Sequence, residues 1–309
     1  MTDNRRTGPP AVQPREGQTF VGQGLLLRHV NLVKLPHTVF ALPFALVGLV
    51  LASSVALITA AAVAWVIVAF TSARFAAMGF NRIADREIDA LNPRTRAREL
   101  PAGVMSVREA GVAVAIASIL FLVAAWQLNH LCLVLAPLAL GWVFFYSYTK
   151  RFTRWSHLVL GIGLSIAPVG GYLAITGSWS KPWWTLIALA LAVATWVGGF
   201  DILYSLQDVS FDRKHNLHSV PAMLGEESAI NVARLLHLVT VISLGFAGVG
   251  AGAGLVYFLG VLVATGLLLY EHSLVKPDDF SKLDAAFFTM NGVISIVFFG
   301  FVLAERILR

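Results

Sequence analysis

The chain has 309 residues, 57% hydrophobic and 13% charged, with a formal net charge of +6 and a mean hydropathy of +0.75. Soluble domains carry about 45–50% apolar and about 25% charged residues, so an ordinary water-soluble globule is excluded. Apolar stretches near 20 residues match a hydrocarbon layer of roughly 30 Å, and the alternating segments of about ten residues that mark a membrane barrel are absent. The expected class is an all-α integral membrane protein.

Residues 1–24 are polar, rich in Pro and Gly, and lack the apolar core of a cleaved leader, which predicts a disordered cytosolic tail. Residues 25–309 are then one membrane domain of nine transmembrane helices. It opens with GLLLRHVNLVKLPHT, residues 24–38, where Arg28 and Lys34 interrupt an apolar segment predicted to lie at the membrane surface. Spans are predicted near 39–58, 60–80, 107–126, 131–149, 157–177, 183–202, 230–250, 254–270 and 283–304. Pro43, Pro137 and Pro168 fall inside spans, where neighbouring helices satisfy the freed backbone. Cys132 is the single cysteine, so neither an internal disulfide nor a cysteine-based metal site is available.

The connections alternate between short, nearly uncharged loops and charged ones. Of the 23 Lys and Arg, all but Arg74, Lys181, Arg306 and Arg309 fall in the N-terminal segment or on the side of the charged loops. Positive charge marks the cytoplasmic side. The N-terminus and the charged loops are therefore predicted inside a multi-pass inner (plasma) membrane protein, and the C-terminus outside. Trp126, Trp179, Trp183 and Trp184 cluster near the outer ends of spans and read as interface anchors.

Two charged loops, 81–106 and 203–229, echo one another. NRIADREID and YSLQDVSFD superpose with Asp85 on Asp208 and Asp89 on Asp212, which suggests two related helical halves meeting at one site. Asn81, Asp85 and Asp89 recur every four residues and would share a helix face, with Arg74 two turns earlier; Asp201, Tyr204, Asp208 and Asp212 would do likewise. These acids could be solvated helix ends. Two facts oppose that reading: acids are disfavoured where a helix ends, and Arg74 and Asp201 lie inside spans, where ionisable groups face functional cavities. Carboxylates four apart also repel, and a divalent cation would compensate them. Mg²⁺ binds through one or two carboxylates plus phosphate oxygens, and Arg94, Lys150, Arg151 and Lys214 supply cations for phosphate. At the mouth of an apolar bundle, this combination describes a site for a lipid diphosphate.

From about residue 25 to 305 the chain resembles the UbiA-type intramembrane prenyltransferases. The likeness rests on Asn81-xxx-Asp85-xxx-Asp89, the Asn92-Pro-Arg94-Thr loop, Tyr146-xxx-Lys150-Arg151, and Asp201-xx-Tyr204-xx-Gln207-Asp208-xxx-Asp212. Asn216 stands where the family pattern has Gly, a departure that affects loop shape. The resemblance implies nine helices and Mg²⁺ held by Asp85, Asp89, Asp208 and Asp212. Asn81, Arg94, Lys150, Arg151 and Lys214 would then bind an isoprenyl diphosphate. Neutralising the leaving diphosphate lets the allylic C–O bond ionise, and an electron-rich aromatic carbon captures the carbocation. Asp201 is the candidate for activating the acceptor's hydroxyl or taking the ring proton, its alternative role being to orient Lys150 or a metal-bound water. Tyr146 and Tyr204 could shield the cation with their ring faces, or simply pack. Arg96 and Arg98 read as loop charge. His157, His215 and His218 lie nearby, but a lone loop histidine is ordinarily incidental.

The motif stretches look most like bacterial 4-hydroxybenzoate polyprenyltransferases of quinone biosynthesis; a naphthoate acceptor for menaquinone is the nearest alternative. Polyprenyl diphosphate, an aromatic acceptor and the lipid bilayer are the expected partners, and nucleic acid is not among them. A transporter of anionic phosphorylated solutes would instead need charges near the midplane and access from both sides, whereas these acids crowd one face.

Overall fold

In a bilayer every backbone polar group must bond within its own segment, so each apolar stretch is expected to be a helix. The computed structural model, which describes residues 24–275, 283 and 289–309, bears this out with no strand among the described residues. The helices are α1 (Leu25–Leu32), α2 (Leu35–Ala52), α3 (Ala60–Ala84), α4 (Arg86–Leu91), α5 (Val107–Leu128), α6 (His130–Thr149) and α7 (Ser156–Thr176). They continue with α8 (Trp184–Ser205), α9 (Val209–Lys214), α10 (Val220–Leu224), α11 (Glu226–Gly250), α12 (Leu255–Leu274) and α13 (Asn291–Leu308). Among the described residues, eight helical stretches are long and apolar enough to cross a membrane: α3, α5, α6, α7, α8 continued to Lys214, α11, α12 and α13. The first predicted span is represented by α2, whose apolar run Ala41–Ala52 is shorter.

Most predicted spans agree with the helices to within a few residues. The first differs: α2 begins at Leu35 and ends at Ala52. The segment 24–38 is accordingly not one surface helix. It divides at Lys34, whose φ of 46° turns the chain between α1 and α2. Leu32 and Val33 are buried in a cluster with Met105 and Ala110. Arg28 donates to the Val104 carbonyl at 3.1 Å, and Arg82 Nε to the Leu32 carbonyl at 3.3 Å. The end of α1 is thereby fastened to the loop that follows α4. The predicted tail, apart from Gly24, lies outside the described residues, as do Lys276, Lys282 and most of the lead-in to the last span.

Helix α8 is packed between α7 and α11, and α2, α7 and α8 meet at small residues. A Cβ on Gly48 would fall 1.8 Å from the Pro168 carbonyl oxygen, one on Gly171 2.2 Å from that of Ala45, and one on Gly161 2.1 Å from that of Ala194. Such close backbone approach is how helices associate where lipid removes the hydrophobic drive between them. Aromatic contacts complete the centre, Phe44 on Trp196 with ring centroids 4.6 Å apart and Tyr257 on Phe298 at 5.5 Å. The result fixes the lower ends of α3 and α8, where both acidic motifs begin, across a shared cavity.

Candidate active site

The two acidic motifs have the same backbone plan. Helix α3 stops at Asp85, with φ −95° and ψ 4°, and the six-residue α4 follows. After α8 a 3₁₀ turn, Leu206–Asp208, stops at Asp208 with φ −101° and ψ 3°, and the six-residue α9 follows. These angles lie in the sparsely allowed bridge region favoured by active-site residues. In each case the second aspartate, Asp89 or Asp212, is the fourth residue of the short helix and is buried. The sequence echo is thus a structural one. In the first motif the expected i, i+4, i+8 register runs through the break, with Asp85 N–H on the Asn81 carbonyl at 2.9 Å and Asp89 N–H on the Asp85 carbonyl at 2.8 Å; in the second, the 3₁₀ turn Leu206–Asp208 stands between the two α-helices.

Each carboxylate has cationic or amide partners. Asp85 accepts from Asn81 Nδ2 at 3.0 Å and has Arg151 at 3.4 Å and Lys150 Nζ at 3.9 Å. Asp89 takes both its oxygens to Arg98, at 2.8 Å each, with Arg82 at 3.9 Å. Asp208 is gripped by Arg94, whose Nε donates at 3.0 Å and whose Nη2 also bonds it, and by Asn92 Nδ2 at 3.1 Å. Lys150 is close enough to Asp208 and Asp212 for its charge to act on both, and it also pairs with Asp85. The two motifs therefore converge on Lys150. Asn92 and Arg94 bridge them a second time, since Thr95 of the same turn donates to the Asp89 carbonyl at 3.0 Å.

Asp212 is held by the Ser219 side chain, and the segment between them is tied down by two backbone bonds. Leu217 N–H donates to the Asp212 carbonyl at 2.9 Å and His218 N–H to the Lys150 carbonyl at 2.8 Å. Asn216 adopts φ 53°, a left-handed conformation that asparagine tolerates better than most residues, so it serves here in place of glycine. Lys214 is exposed at the end of α9 and forms no ion pair with these carboxylates among the described residues. Tyr204 accepts from Arg94 Nη1 at 3.1 Å and has the guanidinium 5.3 Å over its ring, so an arginine already occupies that face.

Beside the acids, lined by α3, α6 and α7, lies a cavity of about 690 Å³. Its polar lining includes Asn81, Tyr146, Asp201 and Arg74; most of the remainder is apolar, from Val66 on α3 to Cys132 on α6 and Leu173 on α7. Tyr146 is near enough to Asp85 and Asp201 to feel both charges. Arg74 Nε is buried without a hydrogen-bond partner, and no carboxylate pairs with it among the described residues. Asp201 bonds His157 Nδ1 at 2.7 Å rather than Lys150.

These features match a known family. Residues 41–293 fit the pattern of the UbiA prenyltransferase family. The chain belongs to that family. A 4-hydroxybenzoate octaprenyltransferase of Sodalis glossinidius is 32% identical over 237 residues, 75% of this chain and 78% of that protein. One of Nitrosospira multiformis is 30% identical over 223 residues, 72% and 76% of the two chains. The apo structure of a UbiA homolog from Aeropyrum pernix K1 superposes with a TM-score of 0.79 at 32% identity, covering 87% of this chain and 98% of that one. A UbiA homolog from Archaeoglobus fulgidus, solved with DMAPP and Mg²⁺, shares the fold at TM-score 0.69 and 20% identity, covering 91% and 100%. The protein is a prenyltransferase of integral membrane type.

Sequence reasoning placed the aspartates, Asn81, Arg94, Lys150 and Arg151 in one region, and the fold brings all of them together. It passed over Arg98, which reads as loop charge, and gave no role to Asn92 as a ligand of Asp208, although Asn92 belongs to the quoted loop motif. The one detectable signal for either was position within the 81–106 loop.

Proposed function

We propose that this UbiA-family chain transfers a polyprenyl group from a polyprenyl diphosphate to 4-hydroxybenzoate or a close aromatic acid, with Mg²⁺, for quinone biosynthesis. In this reading it crosses the inner (plasma) membrane nine times, with its N-terminal tail and its acidic motifs on the cytoplasmic side. The observation that carries the reading is Arg74, a guanidinium lining a mostly apolar cavity with its Nε unpartnered. Burying such a charge unpaired is costly, and an anionic ligand group offsets that cost. A benzoate carboxylate seated there would present its ring toward Asp201 and Tyr146, which line the same cavity.

The donors also suit the metal. Among the described residues no three His, Cys, Asp or Glu side chains converge as a closed site. Mg²⁺ does not need one, since one or two carboxylates and substrate phosphate oxygens suffice. Asp85, Asp208 and Asp212, near Lys150, and Asp89, paired with Arg98, are the oxygen donors. When bound, Mg²⁺ supplies positive charge against the departing diphosphate. Arg94, Lys150 and Arg151 are the cations that can turn from carboxylate to phosphate, and Asn81 orients Asp85. Lys214 would reach the diphosphate from the rim. Tyr146 offers its ring face to an allylic cation, and Tyr204 would do so as Arg94, now over its ring, turns to phosphate. Asp201 accepts the proton of the acceptor's hydroxyl or ring, and the apolar wall receives the prenyl tail.

The test is prenyl transfer by the purified protein with Mg²⁺, a polyprenyl diphosphate and three acceptors: 4-hydroxybenzoate, a dihydroxynaphthoate and the uncharged 4-hydroxybenzyl alcohol. Wild-type protein is expected to favour 4-hydroxybenzoate. Arg74→Leu is expected to raise KM for the acid about tenfold to a hundredfold, the worth of one charged hydrogen bond, and to leave the alcohol unchanged. Equal losses on both, or no product from any acceptor, would defeat the reading.

A further inference from the structure

His157 is buried at the start of α7, with 4% of its surface exposed, and its two ring nitrogens join parts of the site that sequence does not connect. Nδ1 lies 2.7 Å from Asp201 Oδ2. On its other edge, Nε2 accepts the backbone N–H of Val220 at 3.4 Å. A nitrogen that accepts from an amide carries no proton of its own, so the hydrogen resides on Nδ1 and is donated to the carboxylate. Val220 opens α10 and is itself fully buried, one residue beyond the Ser219 that holds Asp212. The imidazole thus links the segment closing the diphosphate side to the carboxylate on the cavity wall.

We infer that His157 is a positioning residue for the acceptor half of the reaction: it commits Asp201 Oδ2 to its own Nδ1–H and leaves Oδ1 for the acceptor's hydroxyl. It does so while the 212–220 segment is in place. The inference rests on the reading of Asp201 as the group that faces the acceptor. Free rotation of that carboxylate would misplace the accepting oxygen, and an error of about 1 Å costs on the order of a hundredfold in rate.

The experiment compares His157→Ala, His157→Asn and His157→Gln in the same transfer assay. The amide nitrogen of asparagine is attached to Cγ as Nδ1 is, so it reaches Asp201; glutamine's extends one bond further. Expected results are a fall in kcat of about a hundredfold for His157→Ala, an unchanged KM for the polyprenyl diphosphate, recovery of most of the rate in His157→Asn, and none in His157→Gln. With fluorinated 4-hydroxybenzoates, whose hydroxyls ionise more readily, the deficit of His157→Ala relative to wild type is expected to shrink, because less is asked of the proton acceptor. A deficit equal for every acceptor, a parallel rise in the diphosphate KM, or asparagine no better than glutamine would overturn the inference. Where His157→Ala does not fold, the asparagine–glutamine pair decides. Wild-type turnover by Asp201→Asn would overturn the parent reading and this inference with it. An inactive Asp201→Asn beside a normal His157→Ala would overturn this inference alone.

Discussion

At the scale of single residues, the site is a set of charges held in mutual compensation. The repulsion expected between carboxylates four apart is relieved by assigning Arg98 to Asp89, Arg94 to Asp208, and Lys150 with Arg151 to Asp85. In the proposed reading, phosphate oxygens would compete for the same cations, so ligand binding would be an exchange of partners that frees the carboxylates for a metal. Asp208 tests this most directly, because its side-chain bonds among the described residues come from Asn92 and Arg94 of one turn. Asp208→Asn keeps the shape and one acceptor but removes the charge. Prenyl transfer is expected to drop by about 10²-fold or more, the scale for losing one electrostatic contact to a developing anion, with the thermal unfolding midpoint in detergent little changed. Turnover near wild type would remove Asp208 from the metal site. The acids, Arg94 and Lys150 were legible in the sequence because charge is conspicuous in an apolar chain. His157 was not, since a neutral imidazole acts through orientation, and orientation is set by a partner 44 residues away.

At the scale of elements, the spans could be read because hydrophobic length sets helix length. The breaks at Asp85 and Asp208 could not, since a single residue in the bridge region leaves hydrophobic periodicity almost untouched on either side. Contacts between helices were equally hidden: the glycines that seat α2 on α7 look like any others in a chain with 26 of them. Gly48 is the tightest. Ordinarily Gly→Ala inside a helix gains roughly 0.5–1 kcal/mol, but here the new methyl would fall 1.8 Å from the backbone oxygen of Pro168. A carbonyl on a packed helix cannot swing aside as a side chain can. Gly48→Ala is therefore expected to destabilise the protein by about 1–3 kcal/mol as the helices part, measured as a lower unfolding midpoint. A raised midpoint would show that α2 and α7 do not touch as described. Glu305 makes a second, opposite test. From the end of α13 its carboxylate accepts the N–H groups of Gly254, Val256 and Tyr257 at 2.7, 3.1 and 3.4 Å, capping α12. Glu305→Ala strands those donors, and a loss of about 1–3 kcal/mol is expected; because α12 is far from the acids in the chain, kcat below the unfolding range should stay at the wild-type value.

For the whole molecule, the decisive property is that polarity is sorted to one end. Both acidic motifs, the α6–α7 turn with Lys150 and Arg151, and the α10 segment all meet at the same end of the bundle, while the cavity runs from there along α3 between Asn81 and Val66, about 22 Å at 1.5 Å per residue. A diphosphate held at the polar end therefore has its chain directed along the apolar wall. The Lys and Arg asymmetry predicts that this end faces the cytoplasm, which can be tested without any assay of activity. In a Cys132→Ala background, Arg96→Cys places an exposed thiol in the loop after α4, and Ser178→Cys places one in the turn between α7 and α8. A membrane-impermeant maleimide should label position 178 in intact cells and position 96 only in inverted vesicles. Label at both positions from one side would mean that the two loops share a face, contrary to the helix count between them. Label at 96 alone in intact cells would turn the whole protein over, placing the proposed diphosphate site outside, where the positive-inside bias gives it no reason to be.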